Sequence, residues 1–144
     1  MDVLTKLAAT ALLTIAAAPA LAQGVPGAHF IENWDADGDG QVTPEEVAAK
    51  RSEIFVMFDQ SEDGVLDATE YALFDETRKA DMDANAGGGQ GPMKAVDEAM
   101  ALAFNDGNGD GLVSREEFAA ATQVFFTRID RDGDGLVTTG DFGR

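Results

Sequence analysis

The most informative residues of the chain are acidic side chains that recur at fixed spacing within residues 35–46. Carboxylates stand at the first, third, fifth and twelfth positions of this stretch, and they belong to Asp35, Asp37, Asp39 and Glu46. A glycine stands at position six, where a short loop has to turn sharply. Oxygen ligands at this spacing wrap a hard divalent cation such as calcium, which takes about six to eight of them. The stretch therefore predicts a cation-binding loop.

The same spacing occurs three more times, in residues 59–70, 106–117 and 130–141. The candidate side-chain ligands of these loops are Asp59, Ser61, Asp63 and Glu70; Asp106, Asn108, Asp110 and Glu117; and Asp130, Asp132, Asp134 and Asp141. The fourth loop closes with an aspartate, which is one methylene shorter than glutamate. We therefore expect the fourth site to be weaker than the others, or more tolerant of magnesium.

These four loops resemble those of the calmodulin-type EF-hand superfamily, and the resemblance covers residues 30–142. It implies calcium binding by the side chains named above and by the backbone carbonyl at position seven of each loop. In this chain the position-seven residues are Gln41, Val65, Leu112 and Leu136.

The short spacing between loops, together with the N-terminal apolar segment, is similar to exported bacterial EF-hand proteins, including the lanthanide-binding lanmodulins. Lanmodulin loops carry proline at position two. The corresponding residues here are Ala36, Gln60, Gly107 and Arg131. Lanthanide binding is therefore an alternative, and calcium binding is preferred.

The predicted fold is all-α, with four EF-hand helix–loop–helix motifs arranged in two pairs and short β-bridges between paired loops. The loop starts are separated by 24, 47 and 24 residues, which indicates duplication of a two-loop unit. Bridges at position eight within each unit would join Val42 to Leu66 and Val113 to Val137. Pairing within units is preferred, and pairing across units stays open.

Helices with apolar faces are predicted to position the loops. Thr43, Pro44 and Glu46 have the pattern of a capping box that begins a helix immediately after loop one. Asn105 is interpreted as a one-residue insertion that the end of a helix must absorb. The helices are predicted over residues 47–58, 71–81, 93–104 and 118–129.

Residues 1–22 have the layout of a cleaved signal peptide, with an early lysine, an alanine-rich apolar run and small residues at the cleavage positions. We expect a mature chain that begins at Gln23 and is periplasmic or secreted. The apolar run is too short for a span of about 20 residues, so no stable membrane anchor is expected. Residues 23–83 would form the first loop pair, 84–92 a glycine-rich linker, and 93–144 the second loop pair.

The composition of the chain argues against two further classes of function, nucleic-acid binding and catalysis. The formal net charge of −17 argues against nucleic acid as a partner. There is no cysteine and no nucleotide-binding glycine loop, and the single histidine, His29, is expected to be solvated. No catalytic constellation stands out, so an enzyme is not predicted.

We expect calcium ions to be the partner, with up to four bound. The preferred function is an exported calcium-binding protein that buffers the ion or is stabilised by it. The alternative is a sensor that exposes an apolar groove to a protein partner whose identity the sequence leaves unknown. A methionine stripe that includes Met93 and Met100 could line such a groove, although a core position is preferred.

Overall fold

The computed structural model describes residues 25–89 and 91–143, and the predicted signal peptide, residues 1–22, lies outside them. The described chain is mostly helical, as predicted. Its first half contains α1 (Ala28–Trp34), α2 (Pro44–Phe58) and α3 (Ala68–Asn85). Within the described residues, no helix combines the length and the apolarity that a membrane span requires.

The second half is built from shorter helices. These are α4 (Lys94–Met100), α5 (Leu102–Asn105), α6 (Arg115–Ala120) and α7 (Thr122–Ile129). Two 3₁₀ turns, Gly91–Met93 and Thr139–Asp141, precede α4 and close loop four.

The predicted start of α2 is confirmed. The Thr43 side chain accepts a hydrogen bond from the Glu46 backbone N–H at 3.2 Å, and the Glu46 carboxylate accepts one from the Thr43 N–H at 2.8 Å. Pro44 occupies the first turn, where its missing N–H is not needed. The helix therefore begins two residues before Glu46 and places this last ligand of loop one in its first turn.

The prediction of one continuous helix over residues 93–104 is wrong. Ala101 is extended, with φ −69° and ψ 154°, and it separates α4 from α5. The Asn105 side-chain amide donates to the carbonyls of Ala99 at 3.2 Å and Ala101 at 3.0 Å, and so supplies donors that the broken helix lacks. The break absorbs the inserted residue. The helix predicted over residues 118–129 is likewise interrupted, at Ala121.

The preferred pairing of loops within units is also wrong, and the loops pair across units. Strand β1 (Val65–Leu66) runs antiparallel to β2 (Val113–Ser114), with Leu66 opposite Val113. Val42 forms an isolated bridge with Val137. The physical reason is α2, whose 15 residues span about 22 Å and hold loops one and two at opposite ends.

The core lies between the two halves of the sequence. Phe30 stacks on Trp34, whose ring lies 5.4 Å from Phe125 between centroids. Met93 and Met100 are buried, as the core interpretation of the methionine stripe predicted.

His29 is half-buried, which corrects the expectation of a solvated histidine. Its Nε2 lies 2.8 Å from Oδ2 of Asp81, so the contact joins α1 to α3.

Candidate metal centre

The first aspartate of every loop organises its own backbone. One carboxylate oxygen accepts the N–H of the position-six glycine, which has positive φ in each loop, a conformation that glycine adopts readily. The four distances, in chain order, are 2.7 Å for Asp35–Gly40 and 2.9 Å for Asp59–Gly64, Asp106–Gly111 and Asp130–Gly135. The turn therefore forms around the carboxylate that begins the loop.

The fifth residue of every loop makes a second shared contact. Its carboxylate accepts the N–H of the position-seven residue, whose carbonyl the resemblance assigns to the ion. The distances are 2.9 Å for Asp39–Gln41, 3.0 Å for Asp63–Val65 and 2.9 Å for Asp110–Leu112 and Asp134–Leu136. The peptide group between positions six and seven is therefore fixed in each loop by a carboxylate of the same loop.

The twelfth residue reaches back across each loop to a backbone N–H at position two or three. The distances are 2.9 Å for Glu46–Ala36, 2.9 Å for Glu70–Ser61, 3.1 Å for Glu117–Asn108 and 2.8 Å for Asp141–Arg131. Asp141 makes this contact with its shorter side chain from a 3₁₀ turn, whereas the glutamates make it from the first turn of an α-helix.

Acidic side chains converge in all four loops, so that one oxygen from each of three residues lies within 4.8 Å of the other two. The clusters are Asp35, Asp37 and Asp39; Asp59, Asp63 and Glu70; Asp106, Asp110 and Glu117; and Asp130, Asp132 and Asp141. Glu46 and Asp134 are the predicted acidic ligands outside these clusters. Glu46 accepts the N–H groups of Ala36 and Thr43, and Asp134 accepts that of Leu136. Carboxylate oxygens grouped in this way suit calcium, which prefers hard oxygen ligands.

The neutral side chains among the predicted ligands lie within the same loops. The Ser61 hydroxyl is 3.5 Å from an Asp59 carboxylate oxygen. The Asn108 carbonyl oxygen accepts the Asp110 N–H at 3.0 Å. At position three, loops two and three therefore present a neutral oxygen, whereas loops one and four present a carboxylate.

Backbone donors keep several carboxylates charged. The N–H of Gly40 lowers the pKa of Asp35, the N–H of Thr43 lowers that of Glu46, and the N–H of Ser114 lowers that of Glu117. These groups are anionic at neutral pH, as cation binding requires.

Asp37 behaves in the opposite way. The Asp39 N–H would lower the pKa of Asp37, but desolvation and repulsion from Asp39 and Glu46 outweigh that contact and raise it. The carboxylates of loop one thus repel one another when no cation lies between them.

Loop two departs from its neighbours at two positions. Glu62, at position four, has a positive φ of 59°, whereas the other loops have glycine there. Asp67, the acid at position nine, caps α3 by accepting the N–H groups of Thr69 and Glu70, both at 2.9 Å. The capping role of Asp67 was not predicted from the sequence.

A buried arginine near the loops was also missed. Arg51 is 1% exposed and contacts Asn105 and the Phe118 carbonyl. A signal was present in the sequence, because Arg51 lies one turn from both Val47 and Phe55 on the apolar face of α2.

Comparison with known families agrees with the geometry of the loops. The family model described as EF hand matches residues 32–49 and 103–120, which contain loops one and three. A comparison with curated proteins gives no match. An acidic cluster that includes the first aspartate is present in matched and unmatched loops alike. Loops one and three therefore match the EF-hand family model, and the acidic clusters of all four loops are consistent with EF-hand calcium-binding loops, as the spacing of the acidic residues predicted.

Proposed function

We propose that this chain is an exported calcium-binding protein in which all four loops bind an ion and the bound ions stabilise the fold. The observation that carries the proposal is the presence of an acidic cluster in each of the four loops of a chain with a formal net charge of −17. Carboxylates held this close repel one another at neutral pH. A divalent cation replaces that repulsion with attraction.

In each loop the ion would be held by the side chains at positions one, three, five and twelve and by the carbonyl at position seven. A bound calcium ion would attract both the carboxylates at the start of the loop and the carboxylate of the twelfth residue, and so would hold them close together. The twelfth residues of the first three loops lie in the opening turns of α2, α3 and α6. Ion binding would therefore fix the angle at which each of these helices leaves its loop.

The fourth site is proposed to bind calcium more weakly, or to accept magnesium. Asp141 is 2% exposed and already accepts three backbone N–H groups, those of Arg131, Asp132 and Thr138. Glu46 of loop one also accepts three backbone N–H groups, but it is longer and less buried. A short and buried side chain has less freedom to offer both oxygens to a large cation. Magnesium binds fewer protein oxygens and keeps several waters.

The proposal is tested with the chain that begins at Gln23. Thermal melts in chelator and in millimolar calcium should differ, because calcium at 100 times its dissociation constant adds about 2.7 kcal/mol per site. Native mass spectrometry would count the ions. Titrations with calcium, magnesium and a trivalent lanthanide would compare the affinities for the three ions and so distinguish a calcium-binding from a lanthanide-binding protein. An unchanged melting temperature in calcium would refute the proposal.

A calcium sensor is the second candidate, because exposed apolar side chains lie on the helices that pack between the loops. Val56 and Met57 on α2 are 58% and 60% exposed, and Val124 on α7 is 59% exposed. A hydrophobic dye should gain fluorescence with calcium if the helices open further. Dye binding that is independent of calcium favours a buffering or structural role.

Export is proposed on the layout of residues 1–22 alone. Expression of the full chain in a Gram-negative host should yield a periplasmic protein whose mass corresponds to a start at Gln23. An uncleaved chain retained in the cytoplasm would contradict export and leave calcium binding unaffected.

A further inference from the structure

Three buried polar side chains meet in the core between the two halves of the chain. The Arg51 Nη2 donates to the Asn105 carbonyl oxygen at 2.6 Å and to the Phe118 backbone carbonyl at 2.8 Å. The Asn105 side-chain amide donates to the Tyr71 hydroxyl at 3.2 Å. The Tyr71 hydroxyl in turn donates to the Met100 carbonyl. The core polar cluster consists of Arg51, Tyr71 and Asn105.

The core polar cluster is placed at the ends of loops two and three. Tyr71 directly follows Glu70, the last residue of loop two, and Asn105 directly precedes Asp106, the first residue of loop three. Phe118, whose carbonyl accepts from Arg51, is the residue after the end of loop three. The cluster thus contacts the exit of loop two and both ends of loop three.

Loops one and four have no such arrangement. The residue before loop one is Trp34, and the residues that follow loops one and four are Val47 and Phe142, all of them apolar. Loops two and three are also the pair with one neutral side chain each, Ser61 and Asn108, among the predicted ligands. The polar cluster is therefore associated with the loops that present three carboxylates, rather than four, among the predicted ligands.

The position of Arg51 is tightly defined. Its Nε donates to the Thr122 hydroxyl at 3.0 Å, and its guanidinium lies 4.0 Å from the centroid of the Phe118 ring. Burial lowers its pKa to about 10, so it remains charged at neutral pH. Its hydrogen-bond acceptors within residues 25–89 and 91–143 are all neutral groups. A buried polar network whose members are all hydrogen-bonded permits one arrangement of the elements that it joins.

We propose that the core polar cluster positions loops two and three relative to each other and couples ion binding at one to ion binding at the other. The proposal rests on the proposed function, since it requires these loops to bind calcium. An ion that draws Glu70 inward also moves Tyr71, and the hydrogen bond between Tyr71 and Asn105 transmits that displacement to Asp106. This link acts in addition to the bridge between Leu66 and Val113.

Tyr71→Phe tests the proposal because it removes one hydroxyl and keeps the ring. Its effect is measured by calorimetric calcium titration of the whole mature chain in two backgrounds. In the first, Glu46→Gln and Asp141→Asn disable loops one and four, so the titration reports loops two and three. In the second, Glu70→Gln and Glu117→Gln disable loops two and three.

In the first background, Tyr71→Phe should lower the calcium affinity about fivefold and bring the Hill coefficient toward one. In the second background, the affinity should not change. The matched control is Thr77→Ala on the same helix, which removes an exposed hydroxyl bonded to the Leu73 carbonyl at 2.8 Å. It should leave both titrations unchanged.

Two results would overturn the coupling. One is an unchanged affinity and Hill coefficient at loops two and three, and the other is an equal loss of affinity in both backgrounds, which marks a purely structural role. A parent chain whose loops two and three bind no calcium would overturn the proposed function at those loops as well. Asn105→Ala should reproduce the selective loss, and Tyr71→Phe decides the question if that variant does not fold.

Discussion

Val42 and Val137 exchange two backbone hydrogen bonds, of 2.8 and 2.9 Å, although they lie in the first and last loops of the chain. Both side chains are fully buried. The other bridge joins Leu66 to Val113, in the two middle loops. The loops are therefore paired as an outer pair and an inner pair, and the order of pairing is nested rather than sequential.

The nested pairing predicts which sites influence one another. Asp141→Asn, which weakens loop four, should also lower the calcium affinity of loop one about fivefold, because the two loops share a bridge. Trp34 directly precedes loop one, so its fluorescence reports that site. Glu70→Gln in loop two is the matched control and should shift the Trp34 titration much less. A larger shift of the Trp34 titration in Glu70→Gln than in Asp141→Asn would contradict the observed pairing.

Arg51→Ala is expected to destabilise the calcium-free protein by about 3 kcal/mol, measured by urea denaturation in chelator. The substitution leaves a cavity beside Phe118 and removes the donor that satisfies the Asn105 carbonyl oxygen. Lys50→Ala on the same helix is the control. Lys50 makes a surface ion pair with Glu53 at 3.4 Å, and its loss should cost less than about 0.5 kcal/mol. Similar losses for both variants would contradict the prediction.

The alkaline titration of Tyr71 is directly observable because it is the only tyrosine. Burial raises its pKa above the ordinary value of 10.0. Absorbance of tyrosinate should therefore appear at higher pH in the folded protein than in urea. Because the folded pKa is the higher one, the stability that Tyr71 contributes is present below pH 10 and is lost as the pH rises beyond it. Superimposable folded and unfolded titration curves would refute a buried hydroxyl.

The calcium-free protein should lose stability in mild acid. Backbone N–H groups lower the folded-state pKa values of Asp35, Glu46 and Glu117 below their ordinary values of 3.8, 4.5 and 4.5. Their contribution is therefore present above those values and is lost as the pH falls through the folded pKa values. Asp37, whose pKa is raised, opposes the trend in the same range.

Thermal melts in chelator between pH 7 and pH 3 would measure this loss. The double variant Glu46→Gln, Glu117→Gln should show a shallower decline, because two of the contributing carboxylates are absent. A decline as steep as that of the parent chain would assign the acid sensitivity to other groups.

Gly27→Ala should destabilise the protein by about 2 kcal/mol, because a Cβ there would lie 2.1 Å from the Phe142 ring behind loop four. Gly87→Ala is the matched control. Gly87 has a similar φ of +75°, but a Cβ added there would meet open space. The loss of stability in Gly87→Ala therefore measures the backbone strain alone, which is about 1 kcal/mol. Both variants are compared by urea denaturation. Equal losses would show that the contact with Phe142 is unimportant.

The loops could be predicted from the sequence because each is a local unit. The first aspartate and the glycine that it contacts are five residues apart, as with Asp35 and Gly40, so the turn is specified within the loop itself. The capping box of α2 was predictable for the same reason. Thr43 and Glu46 satisfy each other across three residues.

The features that were not predicted depend on distant contacts. The break at Ala101 follows from Asn105 turning its side chain inward toward Tyr71 and Arg51, which lie far away in sequence. The pairing of Val42 with Val137 depends on α2 separating neighbouring loops, which spacing alone left open. The contacts of Arg51 were not predicted, because the neutral acceptors and aromatic rings that surround it in the core lie far away in sequence.

The outer bridge also determines when the protein can finish folding. During synthesis the N-terminal side of the chain emerges first, so loop one is available early, but Val137, the bridge partner of Val42 in that loop, emerges much later. The inner bridge between Leu66 and Val113 closes a shorter segment at a smaller entropic cost and so can form sooner. Loop one therefore stays unpaired until the segment that contains loop four has been synthesised.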